Sequence, residues 1–384
     1  MNSDPTCPIC RSTACEVFFT RTGVLLWSNV LYASREEARA APRGDLQLAF
    51  CVTCTHIFNA AFDPARMRYS RSYENALHFS ETFARFQRRL AERLIERFDL
   101  RGKDLVEVGC GDGAFLRLLC ELGDNRGVGF DATAPLRSDS SGVRFVATAD
   151  PAAYAGVPAD FICCRQTLEH VEQPRRFIAD LRQWARASPP FYFEVPNGLA
   201  PFCDGAVWDL IYEHCSYFTP RSLQRLCAEA GMEVWTIDSA FDSQFLSIEG
   251  RFGDPRQPHG LVHQADDLHA RLAGFSEVYA ERISAAAEWT QRATTRGDCI
   301  VLWGAGSKGS SFLDAAGGAA ISAAVDVNPR KQGRWIGGSS VEVVAPQKLS
   351  EIEPDRVVIL NPIYRDEVGA ALSAMSLAPE VVTF

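Results

Sequence analysis

Asp104-Leu-Val-Glu-Val-Gly-Cys-Gly-Asp-Gly113 is the stretch on which the architecture turns. Its first half is a short apolar run suited to a buried strand. Its second half is a glycine turn that opens onto the helix-like AFLRLLCEL of residues 114–122. The next strand reads at Gly127-Val-Gly-Phe-Asp131, which completes a βαβ unit of about thirty residues and requires a parallel pair with a right-handed crossover. Upstream, residues 83–100 (FARFQRRLAERLIERFDL) set Phe83, Phe86, Leu90, Leu94 and Phe98 at helical spacing. Downstream, FICC (161–164) and FYFEV (191–195) read as further strands with helices between them. The economical assembly is an α/β fold built on a doubly wound parallel sheet.

Both flanks differ from this centre. The loop GRFGDPRQPHG (250–260) is the clearest linker, and beyond it DDLHARLAGFSEVYAERI (266–283) places Leu268, Leu272, Phe275, Tyr279 and Ile283 on one helical face. A second strand, glycine turn and helix follow at CIVLWGAGSKGSSFL (299–313). Toward the N-terminus, two Cys-x-x-Cys pairs precede residue 65. These shifts predict three domains: 1–65, 66–252 and 253–384, in line with the prior for 384 residues.

Composition excludes several classes. Thirty-nine basic against forty-eight acidic side chains give −9, the wrong sign for neutralising a phosphate polymer, so no nucleic-acid partner is expected. No run approaches the 18 apolar residues of a membrane span, and MNSDPTCPIC lacks the pattern of a signal peptide, so a cytoplasmic protein without a membrane partner is expected. Thirteen cysteines, an odd count, argue against a disulfide framework.

Cys7-Pro-Ile-Cys10 and Cys51-Val-Thr-Cys54 each offer two thiolates across a tight turn, the spacing in which four sulfurs approach one tetrahedral ion. Zinc suits this set, in a closed and structural role, and the alternative is a set of reduced thiols or a redox pair. Cys15 and His56 are nearby spare ligands that are expected to stay outside the site.

The first glycine turn has the spacing G-x-G-x-G, not the G-x-G-x-x-G of a pyrophosphate loop, with Glu107 before it and Asp131 at the next strand end. Acidic groups so placed repel pyrophosphate but suit the amine and ribose hydroxyls of S-adenosyl-L-methionine (SAM). The pattern resembles the class I methyltransferases over about residues 100–250. That resemblance implies that Gly109, Gly111 and Gly113 shape the methionine end of the site, with Glu107 beside them. Asp131 would take the ribose hydroxyls, Asp150 would approach the adenine, and Gln166 would face the donor. His170, in the same segment as Gln166, recurs in methyltransferases of many substrate classes.

Carbon and oxygen acceptors must lose a proton before methylation, so a base and an oxyanion stabiliser should converge near the donor. Tyr212-Glu213-His214-Cys-Ser-Tyr217-Phe supplies two phenols, a carboxylate and an imidazole after the fifth strand. Trp303-Gly-Ala-Gly-Ser-Lys308-Gly309 has the G-x-G-x-x-G spacing, with Asp326 about twenty residues on, which alone would suggest NAD.

The order of these motifs, with YENALHFSETF (73–83) between the Cys pairs and the first glycine turn, resembles the SAM-dependent sugar C-methyltransferases. That family implies an N-terminal zinc-binding domain, a class I core and a C-terminal Rossmann-like domain that helps hold a nucleotide-linked ketodeoxysugar, without a redox cofactor. Carried onto this chain, His214 would remove the proton alpha to the ketone, and Tyr212 and Glu213 would orient it or bind the enediolate. Tyr73 and His78 would close over the acceptor, while Tyr217, Lys308 and Asn361 would help bind it. The chain departs from the family at Ala240–Glu249, where members carry a His-Gly-Gly-Ser-type loop. A C- or O-methyltransferase for a non-sugar natural product is the alternative, and a zinc- and nucleotide-binding scaffold is the reading from outside enzymes.

Overall fold

A computed structural model describes residues 5–67, 69, 72–135, 142–185, 188–253, 268–318 and 320–384. Its N-terminal part contributes β1 (Cys15–Leu25), β2 (Leu31–Tyr32), β3 (Arg43–Cys51) and β4 (Ile57–Asn59). A helix over Glu81–Phe98 then leads into the strands β5 (Asp104–Val108), β6 (Arg126–Asp131), β7 (Val143–Ala147), β8 (Phe161–Arg165) and β9 (Pro190–Pro196). After β10 (Ser216–Tyr217), the hairpin of β11 (Met232–Ala240) and β12 (Phe245–Phe252) ends this part.

The expected doubly wound sheet is present, in the order β11-β12-β9-β8-β5-β6-β7. Strands β5 to β9 are parallel, and β12 runs antiparallel to both neighbours. Strand β5 is central because Leu105, Val106 and Val108 are all buried on both faces, the pattern of a covered parallel strand. The chain leaves β5 toward β6 on one side and returns to β8 on the other. That reversal opens a crevice beyond the carboxyl ends of β5 and β8, where open α/β sheets hold ligands.

The turn between β5 and the helix Ala114–Gly123 occupies that crevice. Gly109 has φ +75°, and a Cβ there would lie 1.8 Å from Thr167 Oγ1. Gly113 has φ +80°, and its Cβ would lie 2.2 Å from the Phe145 ring. Backbone conformation and close packing both demand glycine at these two positions. Gly111, with φ +53° and nothing within 4 Å, instead faces open space.

The C-terminal part holds a five-stranded parallel sheet in the order β16-β14-β13-β17-β18. Its strands are β13 (Ile300–Trp303), β14 (Ile321–Val325), β16 (Val343–Val344), β17 (Arg356–Ile359) and β18 (Glu380–Thr383), and the short β15 (Trp335–Ile336) pairs with β2. The predicted helix over 266–283 is two helices, Leu268–Ala273 and Phe275–Arg296, interrupted at Gly274. Residues 266–267 lie outside the described residues. Leu268, Leu272 and Phe275 are nevertheless buried together, as the periodicity requires. The predicted linker 250–260 begins too early: Gly250 to Phe252 belong to β12, and a Cβ on Gly250 would sit 2.1 Å from the Glu233 carbonyl, so this glycine serves strand packing. Residues 254–260 lie outside the described residues.

The parts interlock. Strand β10 completes the N-terminal sheet β1-β3-β4-β10 by pairing Ser216 and Tyr217 with Phe58 and Ile57. One continuous apolar core runs from Phe19 and Leu46 through Trp208 and Phe275 to Phe312 and Ile336. Among the described residues no helix is long and apolar enough to cross a membrane.

Candidate active site

Elements from all three parts enclose a cavity of about 630 Å³ beside the crevice. Its lining includes Tyr73, Gln166, His170 and His214, and it reaches Gly304–Gly309 after β13. On the donor side, Asp131 Oδ2 accepts from the Gly111 N–H at 3.0 Å, while its Oδ1 accepts from the Thr133 N–H and hydroxyl at 2.6 Å. Asp131 thus fixes the glycine turn at the end of β6. Gln166 sits in the left-handed region at φ +49°, its amide donating to the buried Glu194, which Arg165 and the Tyr192 hydroxyl also hold. Asp150 caps a short turn through the Ala152 N–H and is absent from the cavity lining.

Glu107 is buried, and among the described residues its Oε2 has no hydrogen-bond partner. Burial pushes its carboxyl up to about 8, only partly offset by the Arg165 guanidinium. A carboxyl near 4.3 when unfolded and near 8 when folded keeps a proton in the native state across that window. Stability of the ligand-free protein is therefore expected to fall as pH rises through it. The melting temperature should be higher at pH 6 than at pH 8 by about 4–8 °C, the shift that corresponds to about 2 kcal/mol in a domain of this size. Glu107→Gln should flatten that slope in thermal denaturation, and an unchanged slope would remove Glu107 as its source.

His170 and His214 meet at the cavity, their ring centroids 5.0 Å apart. His170 Nδ1 lies 3.0 Å from the Glu213 carbonyl and 2.8 Å from the Tyr69 hydroxyl. A carbonyl can only accept, so the proton sits on Nδ1 and Nε2 is left as the open nitrogen. Burial pushes His170 down to about 4. His214 is held well below the usual histidine range by burial, and further by His170 and Lys308. Among the described residues neither ring nitrogen of His214 has a hydrogen-bond partner, and the residue lines the cavity. Tyr73, whose hydroxyl accepts from the Asn29 amide at 3.2 Å, and Tyr69 are pushed far above the ordinary phenol range by burial. Both therefore remain protonated donors.

Not every residue singled out in the sequence reaches this point. Tyr212 is turned away: its ring packs on Phe62 and beneath Gly44, and its hydroxyl accepts from the Asp63 N–H at 2.9 Å, so it does not orient His214. Glu213 is also directed elsewhere. Its carboxylate accepts from the Ser28 N–H at 2.5 Å and the Ser28 hydroxyl at 3.0 Å, and the Ser28 carbonyl accepts from the Ser310 hydroxyl at 2.7 Å. Burial, opposed by the Ser28 donors, lifts Glu213 to about 7. Tyr217 does line the cavity, with its hydroxyl bonded to the Ile211 backbone. His78 stacks on Phe79, with Nε2 3.8 Å from Asp112.

Lys308 is paired with Asp209. Asn361 exchanges two amide hydrogen bonds with Gln244, at 2.7 and 2.9 Å. That pair anchors the turn in which Phe241, Asp242 and Ser243 are successively left-handed, at φ 49°, 53° and 60°. Each such residue costs about 1–2 kcal/mol, and here the strain shapes the cavity wall within the segment that departs from the family pattern. Tyr69, Ser28 and Asn29 were not singled out from sequence; the Tyr69-to-Tyr73 spacing was the one available signal.

Among the described residues, two sets of side chains could hold a metal ion. Cys7, Cys10, Cys51 and Cys54 bring their sulfurs within 4.8 Å of one another, with Cys7 to Cys54 and Cys10 to Cys51 at 3.5 Å. A tetrahedral zinc with bonds of about 2.3 Å has S···S edges of about 3.8 Å, so the set fits. Both pairs adopt the same turn: the Arg11 and Thr55 N–H groups donate to the Cys7 and Cys51 carbonyls, with Arg11 and Thr55 left-handed. Cys15 and His56 are not in the set, and His56 is stacked between Phe58 and Phe218. The second set is Glu169, His170 and His214, also within 4.8 Å, with Glu169 Oε2 buried and unpartnered.

Residues 83–237 match the family described as a methyltransferase domain, and residues 265–378 match the one described as a C-methyltransferase C-terminal domain. Solved structures that align include a SAM-dependent methyltransferase from Aquifex aeolicus, at 14% identity over 42% of this chain and 89% of that one, with a TM-score of 0.34. Another is the magnesium protoporphyrin IX methyltransferase of Synechocystis PCC 6803 with bound S-adenosylhomocysteine, at 16% identity over 44% and 83%, TM-score 0.35. A third is the 1,6-didemethyltoxoflavin-N1-methyltransferase of Burkholderia thailandensis, at 16% identity over 45% and 82%, TM-score 0.35. No curated protein matches the chain. With a methyltransferase-domain match over the parallel strands β5 to β9 and a C-methyltransferase C-terminal domain match after it, the protein is a class I SAM-dependent methyltransferase.

Proposed function

We propose that the enzyme methylates a carbon alpha to a ketone, on a nucleotide-linked ketodeoxysugar. The observation that carries this reading is the state of His214: neutral, half-buried and with no hydrogen-bond partner among the described residues, it lines a cavity that also reaches the second glycine turn. The donor side is Gly109–Gly113 with Glu107, Asp131 and Gln166, and SAM supplies an electrophilic methyl there. His214 accepts the alpha proton, and the electron pair of the broken C–H bond moves into the enolate. Tyr73, kept protonated by burial, can donate to the enolate oxygen. The enolate carbon then bonds the methyl, and the pair of the breaking S–C bond returns to sulfur. Backbone N–H groups of the 304–309 turn are the feature suited to a diphosphate, since Lys308 is already paired. A division at 65 and 252 is part of the same reading, although β10 pairs into the N-terminal sheet and β15 pairs with β2, with a structural zinc at the four cysteines holding the first part.

Incubating the enzyme with methyl-labelled SAM and a panel of nucleotide ketosugars in deuterated water tests this. The expected product carries the label on a C–C bond, with deuterium exchange at the alpha position. A label found on oxygen would replace carbon transfer with the O-methyl reading. A cation seated on Glu169, His170 and His214 would occupy the nitrogen needed by the base. Turnover that depends on added Mg2+ or Mn2+ would therefore replace His214 as base with metal-assisted enolisation.

A further inference from the structure

Residues 326–331, after β14, take no part in the chemistry above, yet they reach into it. Asp326 locks this turn: its Oδ2 accepts from the Ala305 N–H at 3.0 Å and from Lys331 at 3.2 Å, and its Oδ1 accepts from the Asn328 N–H at 2.9 Å. Asn328 Oδ1 accepts in turn from the Arg330 N–H at 2.9 Å. Two side chains project from the locked turn. The Asn328 amide donates to Glu74 Oε1 at 3.0 Å. Arg330 Nη1 donates to Asp112 Oδ2 at 2.8 Å, lies 3.5 Å from Glu74 Oε2, and its guanidinium sits 5.2 Å over the Phe79 ring.

These partners belong to the two halves of the reaction. Asp112 is in the donor turn, where its other oxygen accepts from the Ala114 N–H at 3.2 Å and so sets the start of the helix. Glu74 and Phe79 lie within the segment 73–80, most of which lines the cavity. We propose that Arg330 is a positioning residue through which binding of the donor orders segment 73–80 before the acceptor arrives. The inference rests on the donor occupying the 109–113 turn.

Arg330 is about half exposed, and an isolated ion pair at such a place contributes little. Three features give it more weight. One planar guanidinium reaches two carboxylates and an aromatic face together, which an ammonium cannot do. Its removal would leave the Asp112 and Glu74 carboxylates without the cation that bridges them. The far end of the tie is fixed, because Asp326 and Lys331 hold the turn against the loop after β13. A coupling of this size is modest, and the linkage it implies is reciprocal.

Hydrogen-exchange mass spectrometry of the full-length protein with S-adenosylhomocysteine tests the proposal. In the wild type, the ligand is expected to slow exchange at 109–117 and also, by about two- to fivefold, at 73–80 and 326–331. In Arg330→Met the slowing should persist at 109–117 and vanish at the other two segments, while Arg330→Lys should restore part of it. Slowing confined to 109–117 in the wild type, or undiminished at 73–80 in Arg330→Met, would overturn the coupling and leave the methyltransferase reading intact. No slowing anywhere would instead refute donor binding at the 109–113 turn, and the coupling with it.

Discussion

Replacing His214 with Ala or Asn is expected to leave SAM affinity within about twofold and to lower kcat by roughly 10²–10⁴-fold, the span that general bases contribute. The separation follows from where the ring stands. His214 faces the cavity and is not among the groups that shape the donor turn, so calorimetric titration with SAM should scarcely notice the change. The variants should fold, because no hydrogen bond among the described residues is lost with the imidazole. The pH profile carries a second signature. An ordinary histidine would lose its base form as pH falls through about 6.5, but burial and the neighbouring His170 and Lys308 depress His214 well below that value. Turnover should therefore show no acid limb from this group near pH 6.5. Rates within tenfold of wild type in both variants would pass the role to His170, the adjoining imidazole.

Stripping the metal from the cysteine cluster, or replacing Cys10 and Cys51 together by Ser, is expected to abolish turnover although none of the four sulfurs lines the cavity. A structural zinc contributes about 10–16 kcal/mol in small peptides at neutral pH, as much as the entire stability of a typical domain. Loss of the ion should thus undo the turns that seat β3 and β4. Strand β4 pairs with Ser216 and Tyr217, two and three residues beyond His214, and Ser28 of the same part holds Glu213. His214, the proposed base, loses its support from both sides. Elemental analysis should find one zinc per chain, the melting temperature should fall on chelation, and re-addition should recover activity. A chelated protein with unchanged melting and unchanged turnover would show that the cysteines do not need an ion.

What could be read from the sequence was what is decided locally. The β5 turn is legible because its apolar run, its glycines and the following helix lie within twenty residues, and each is required by nearby contacts such as Thr167 and Phe145. The cysteine pairs are legible for the same reason, since each turn closes through its own backbone. Side-chain partners were not legible where they come from far away in the chain. Tyr212 sits in the same hexad as His214, yet its hydroxyl bonds Asp63, 149 residues earlier. Glu213 is claimed by Ser28 across 185 residues, and Lys308 by Asp209 across 99. Charge and residue type marked these positions as chemically able, while the packing of three sheets decided which of them face the cavity. Gly274 shows the converse limit: the apolar periodicity around it was correct, but helix phase alone does not reveal a break that preserves the buried face.

Ser28 joins the three parts at one residue, binding Glu213 with its N–H and hydroxyl and receiving Ser310 on its carbonyl. For anyone redesigning the enzyme, this makes acceptor preference a poor cassette. A foreign C-terminal part would arrive with its own pocket wall, but it would also have to present a hydroxyl to Ser28, or the segment carrying His214 would shift with the graft. New specificities in this architecture are more readily reached by substitutions within one chain than by exchange of its parts.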